Sequence, residues 1–252
     1  MPGRTRRLSH VSLDRIGEVT IEWTFDAPRE RVFECMTTPE LLTLISAWAI
    51  GLTWRVASTR WNHNIHYHRV ILDVVPTTCE RALDIGCGEG MLTRQLREVV
   101  PSVVGIDLDE PSIELAGRQP AGGLDYVVGD VLTYPFEPAS FDLIASVAAL
   151  HHLDTADGLR RMDQLLRPGG TLAVVGLARS TTPPDRLLDL VGAISSRRHR
   201  LSKTYWEHSA PIVWPPPDSY GQTRDTARRL LPGVGYRRHV VWRYSLVWVK
   251  PG

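Results

Sequence analysis

A doubly wound, mostly parallel α/β sheet of seven strands is the architecture this sequence predicts, and three observations predict it. Between Arg81 and Gly176 short β-branched runs alternate with helical segments, and each run ends at Gly, Asp or Ser. Such alternation reads as βαβ units, hence parallel strands covered by helices on both faces. A glycine-rich turn follows the first of those strands. Two C-terminal segments alternate aromatic or β-branched residues with Arg and Ser, the pattern of closing strands that run partly antiparallel.

The periodicity places strands at Arg81–Ile85, Val103–Ile106, Leu124–Val128, Phe141–Ser146 and Thr171–Gly176, followed by Tyr236–Trp242 and Tyr244–Lys250. Helices are expected at Met91–Val100, Pro111–Arg118 and Thr155–Leu166. Asp109 can cap the second of these, with Pro111 in its first turn, where a missing N–H costs nothing. Asp154 can cap the third, and Arg167-Pro168-Gly169-Gly170 stops it and turns the chain into the fifth strand. The segment 178–235, rich in Pro, Arg and Trp, reads as a lid or binding insertion. Within it an amphipathic helix is expected from Pro184 to Ile194, ahead of the basic run Arg197-Arg198-His199-Arg200.

The first residues stand outside this pattern. Residues 1–55 read as an N-terminal helical extension, and 56–252 as the main domain with its core at 79–177 and closing strands at 236–250. Thr24–Leu41 resembles the opening strand and helix of START-like helix-grip domains, over fewer than twenty residues and with no room for a whole such domain.

Composition narrows the function classes. Lys and Arg number 29 against 28 Asp and Glu, a balance that argues against a dedicated nucleic-acid or membrane-surface binder. Apolar residues at 43% and charged residues at 23% are those of an ordinary globule. Cys35, Cys79 and Cys87 are too scattered for a disulfide framework, so a reducing cytoplasm is the expected setting. No signal peptide is readable at the start, and the longest apolar stretch, Leu41–Leu52, falls well short of the roughly 18 residues a membrane span needs.

The chemistry is carried by Asp84-Ile85-Gly86-Cys87-Gly88-Glu89-Gly90-Met91, which puts an acidic residue at a strand end and then glycines at alternate positions ahead of a helix. Glycines there admit a sharp turn and a close ligand. A dinucleotide fingerprint, G-x-G-x-x-G, has its third glycine one place later. Asp84 and Glu89 flank the turn, a field better suited to a cation than to a pyrophosphate.

On these residues the chain resembles the class I S-adenosylmethionine-dependent methyltransferases, whose first motif is acidic-x-Gly-x-Gly-x-Gly. Its companions occur in order over about the central hundred residues. Asp107-Leu108 ends the second strand, where the family's carboxylate takes the ribose diol. Gly129-Asp130-Val131 follows the third strand, where an acidic residue takes the adenine amino group. Phe141-Asp142-Leu143-Ile144 and Leu166–Leu172 look like the fourth-strand motif and the turn into the fifth. The resemblance implies S-adenosyl-L-methionine as cofactor and sets it against Asp84, Gly86, Cys87, Gly88, Gly90, Asp107, Leu108, Asp130, Val131 and Ser146.

Methyl transfer from a sulfonium needs alignment in a dry pocket, and a base only when the nucleophile arrives protonated. His151 and His152, just past the fourth strand, are the candidates for that base or for a substrate-orienting donor; equally they serve to fix the loop. Ser146-Val147-Ala148-Ala149 replaces the N/D-P-P-aromatic motif of DNA-adenine and protein-glutamine methyltransferases, so the acceptor is expected to be a small molecule. A silent cofactor-binding regulator and, more distantly, a nicotinamide oxidoreductase are the rival readings. His63, His66 and His68 are badly spaced for a metal, and no metal site is expected; with Tyr67 they fit a lid over the cofactor. Nothing in the sequence fixes the oligomeric state.

Overall fold

The computed structural model describes residues 7–13, 19–24, 60–119, 122–202, 204–205 and 214–252. The chain divides into two compact units, Met1–Ala57 and Ser58–Gly252.

In the first unit the described residues form an antiparallel hairpin of β1 (Arg7–Leu13) and β2 (Val19–Thr24). This corrects the expected helical extension as far as the described residues go. Val19-Thr20-Ile21-Glu22-Trp23-Thr24 has the period of two and the β-branched content of a strand, and β1 is its partner. The segment likened to a helix-grip domain lies outside the described residues except for Thr24, the last residue of β2.

The second unit opens with a short strand, β3 (Arg60–Trp61), then a 3₁₀ turn at Ile65–Tyr67 that leads into α1 (His68–Leu72). The core elements follow as β4 (Arg81–Ile85), α2 (Met91–Arg97), β5 (Ser102–Asp107), α3 (Glu110–Gly117), β6 (Leu124–Val128), β7 (Phe141–Val147) and α4 (Thr155–Leu165). Beyond them lie β8 (Leu166–Gly176), α5 (Pro183–Ser202), β9 (Thr204–Tyr205), α6 (Tyr220–Leu230), β10 (Gly235–Arg238) and β11 (Tyr244–Val249). One seven-stranded sheet has the order β10-β11-β8-β7-β4-β5-β6. Strands β4 to β8 pair in parallel, and β11 pairs antiparallel with both β8 and β10.

Burial alternates across the sheet as a period of two demands. Leu83, Ile85, Val104 and Ile106 face a core shared with α4 and α6, while Ala82, Val103, Ala145 and Ala173 face one shared with α1 and α2. Each fully buried Leu or Ile contributes roughly 1.5–3 kcal/mol.

The expected caps are present: Asp109 accepts from the Ser112 amide and Asp154 from those of Ala156 and Asp157. Four other expectations are corrected. Residues Arg167–Gly170 do not end the helix as a separate turn but loop out within β8, held by reciprocal bonds between Gly169, Gly170 and Lys250. Helix α5 runs on through the basic run to Ser202, because nothing between Ile194 and Ser202 breaks a helix. The segment 178–235 is not wholly a lid, for α6 lies within it and buries Tyr220 and Ala227 in the core. The strand expected at Tyr236–Trp242 ends at Arg238, and residues 239–243 form the turn into β11.

Candidate active site

Parallel strands deliver the C-terminal ends of β4 to β7 to one end of the sheet, and because β11 runs the other way its first residue, Tyr244, pairs with Gly176 at that same end. A cavity of about 910 Å³ opens there, within the roughly 300–1,000 Å³ typical of small-molecule sites.

The glycine turn after β4 is left-handed at Gly86 (φ 72°), Gly88 (φ 50°) and Gly90 (φ 72°), which only glycine adopts without strain. Four of its amides are spent within the protein. Those of Gly86 and Cys87 donate to the Ile106 carbonyl at 2.8 and 3.2 Å, that of Gly88 to Asp107 Oδ2 at 2.7 Å, and that of Gly90 to the Cys87 carbonyl. A phosphate nest needs converging unspent amides, and these four are not available to one. Two of the glycines also answer to packing: a Cβ at Gly86 would meet that of Ala149 at 2.2 Å, and one at Gly90 would strike the Tyr126 ring.

Asp107 is pinned by two amides, that of Gly88 on Oδ2 and that of Asp109 on Oδ1 at 3.0 Å. Each oxygen keeps acceptor capacity for a ligand hydroxyl. Asp84 is 1% exposed and accepts from Thr93 Oγ1 at 2.7 Å. Burial raises its pKa to about 7 against that hydrogen bond, helped by the Asp107 charge. Asp130 lines the cavity and accepts from the Leu132 amide. Val131 lies buried beside it, and Leu108, 67% exposed, forms an apolar rim. Cys87 also lines the cavity, and burial pushes its thiol up, so it stays neutral. Gly90 and Ser146 are not among the lining residues; Ser146 is fully buried, while Val147, Ala148 and Ala149 after it reach the cavity.

The opposite side of the cavity comes from β7, β8 and β11. Ala148 takes φ 56° and Trp242 φ 50°, both strained for residues with a Cβ. His151 is buried, its Nδ1 has no hydrogen-bond partner among the described residues, and its ring lies 4.1 Å from that of His152. Burial first, then the His152 and Arg243 charges, lowers the His151 pKa to about 3; burial lowers that of the more exposed His152 against the Asp107 charge. Both imidazoles are thus neutral near pH 7.

Segment 62–68 lines the same cavity with Asn62, His63, Asn64, Ile65 and His68. His63 bonds Ser196 Oγ and packs edge-on against Trp242, and His68 Nδ1 bonds Gln95 Oε1. Tyr67 points elsewhere, its hydroxyl accepting from the Val241 amide. Among the described residues no group of His, Cys, Asp and Glu could hold a metal ion, and no helix is long and apolar enough to cross a membrane.

Sequence reasoning missed Asn62, Asn64, Trp242 and Arg243. No local signal marked the last two, because the run Val240-Val241-Trp242 reads equally well as buried strand, as Leu246–Val249 in β11 does. Two quoted motifs serve the opposite end of the sheet. Asp142 accepts from the Glu80 and Arg81 amides and from Arg167, bonds that outweigh burial and hold its carboxyl below its usual pKa.

Comparison with known proteins identifies the family. A methyltransferase domain family matches residues 83–174. An uncharacterized methyltransferase of Mycobacterium tuberculosis is 38% identical over 195 residues, covering 76% of this chain and 98% of that one. A demethylmenaquinone methyltransferase of Roseiflexus castenholzii is 33% identical over 164 residues, 58% of this chain and 66% of that one. The solved Haemonchus contortus phosphoethanolamine N-methyltransferase 2 in complex with S-adenosyl-L-methionine shares the fold, at 18% identity and TM-score 0.53 over 74% of this chain and 53% of that one. The chain belongs to the class I S-adenosylmethionine-dependent methyltransferases. It is a methyltransferase, and S-adenosylmethionine is the cofactor its family implies; a cavity that sets a carboxylate pinned by two amides beside a glycine turn fits that cofactor.

Proposed function

We propose that the chain transfers a methyl group from S-adenosylmethionine to a small-molecule acceptor, with the cofactor along the ends of β4, β5 and β6 and the acceptor beside Ala148, His151 and Trp242. The observation that carries this reading is the Asp107 carboxylate, held by the Gly88 and Asp109 amides so that its remaining lone pairs face the cavity as a diol acceptor. Asp130 and the Leu108 rim suit the amino group and the flat face of an adenine. Buried Asp84 supports the turn through Thr93 and, when ionised, favours a cationic ligand.

The cofactor, when bound, supplies an electrophilic methyl group on a sulfonium. The protein's own work is alignment and exclusion of water. His151 is proposed as an orienting contact for the acceptor and not as the base, since a group with pKa about 3 is a poor proton acceptor near neutrality. Asn64 and His68 are proposed as parts of a lid. Cys79 and Cys87 carry free thiols, which supports a reducing, cytoplasmic setting.

Calorimetry with S-adenosylhomocysteine tests the reading. Wild-type protein should bind it, and Asp107→Ala should weaken binding about a hundredfold or more, the loss of two charged hydrogen bonds. Equal affinity in the variant overturns the assignment.

A further inference from the structure

Helix α5 (Pro183–Ser202) turns two unlike faces to its surroundings. Its inner face backs one wall of the cavity. Ser196 Oγ lies 2.9 Å from His63 Nε2, Asp189 pairs with Arg238 at 3.3 Å, and a Cβ at Gly192 would strike the Val240 carbonyl, so the helix sits directly on the turn that carries Trp242. Both His63 and Trp242 line the cavity.

The outer face is apolar and exposed. Leu187, Leu190 and Val191 are 64%, 61% and 46% exposed, and their i, i+3, i+4 spacing gathers them into one stripe. Single exposed apolar residues are ordinary, but adjoining ones on one helix face mark a contact site. The exposed charges of α5 among the described residues are both cations, Arg186 and Arg197. Standing four places before and seven after Leu190, they lie on that residue's side of the helix. The acids are turned elsewhere: Asp189 is spent inward on Arg238, and Asp185 accepts from the Thr182 hydroxyl at 2.7 Å and its amide at 3.1 Å. Over its whole length the helix sequence sets four Arg, at 186, 197, 198 and 200, against two Asp, at 185 and 189. The near-neutral balance of the whole chain does not extend to this helix.

We infer that α5 is the helix by which this protein rests on an anionic lipid surface, with Leu187, Leu190 and Val191 entering the headgroup boundary and Arg186 and Arg197 meeting lipid phosphates. The inference goes beyond the preceding reading and stands without it. An apolar stripe flanked by arginines is the arrangement of interfacial helices, whose basic side chains lay their stems along the apolar surface and lift their charge to the headgroups. A second copy of the chain is the poorer occupant, because a twofold contact sets a face against itself and would bring cations to cations. A lipid interface also needs no matching pocket, which a convex helix face does not offer. Three apolar side chains and a few cations give a reversible attachment and not an anchor.

The test is sedimentation of the full-length protein with vesicles of phosphatidylcholine alone and of phosphatidylcholine with phosphatidylglycerol in roughly equal parts. Partitioning should be about tenfold or more stronger on the anionic vesicles, the range of two arginines near such a surface, and should weaken with added salt. Leu190→Glu should lower it about tenfold or more, and joint Arg186→Gln and Arg197→Gln should remove the preference for anionic vesicles. Val99→Glu makes the same kind of change at an exposed site just past α2, at the opposite end of the sheet, and should leave partitioning as in wild type. Tm measured alongside separates lost binding from lost folding, and if Leu190→Glu does not fold, Val191→Ser carries the comparison. Equal partitioning on both vesicles, absence of partitioning on either, undiminished binding by Leu190→Glu, or an equal loss in Val99→Glu overturns the inference. Self-association that Leu190→Glu abolishes, without vesicle binding, overturns it in favour of a second copy.

Discussion

The two halves of the cavity are assembled in different ways. Its acidic half is three short stretches, Asp84–Met91, Asp107–Asp109 and Gly129–Val131, each continuous with the end of a parallel strand. The opposite half draws Asn64, His151, Leu177, Trp214 and Arg243 from segments far apart in the chain, joined by side-chain bonds such as that of Arg243 to Asn64. Binding a constant ligand can be written into local backbone geometry. Recognition of a particular acceptor is written into loops that the scaffold positions, and these differ with the substrate.

Three substitutions break or sharpen this contrast. The largest effect is expected in the acidic half. Asp84 has its folded pKa raised from 3.8 to about 7, so the folded state holds a proton that the unfolded state releases, and stability falls as pH rises from near 4 to near 7. Asp84→Asn removes that loss. It should exceed wild type by up to about 4 kcal/mol above pH 7 in urea unfolding, with the gain gone near pH 4; a pH-independent difference would show that the carboxylate is not buried at this cost. Next comes the joint between the halves. Gly86→Ala puts a Cβ 2.2 Å from that of Ala149 at φ 72° and should cost about 3 kcal/mol, read as a fall in Tm; an unchanged Tm would mean that the halves do not meet there. The smallest effect is expected in the acceptor half. Tyr67→Phe strips the Val241 amide of its acceptor and should cost about 1–2 kcal/mol in urea unfolding, with unchanged S-adenosylhomocysteine affinity. A loss of cofactor affinity instead would place Tyr67 with the other half.

Legibility follows the same division. Strands β4 to β8, the caps Asp109 and Asp154 and the acidic stretches were readable because strand period, N-caps and glycine turns are local signals. Helix α6 went unread although Ser219 and Gln222 form a capping box, because the prolines just before it suggested a loop. Trp242 and Arg243 were read as strand and flank, since their role depends on Tyr67, Arg238 and Asn64, residues that no window of sequence joins to them. Ser146 was assigned by resemblance to the cofactor, yet it is buried one place before the end of β7, and Val147, Ala148 and Ala149 reach the cavity instead.

The reversed direction of β11 has a bearing on when the site becomes competent. Every carboxylate lining the cavity precedes Gly176 in the chain, whereas the opposite wall is finished by the strand that slots between β8 and β10. The residues of the proposed donor site are therefore all synthesised before the last part of the proposed acceptor wall.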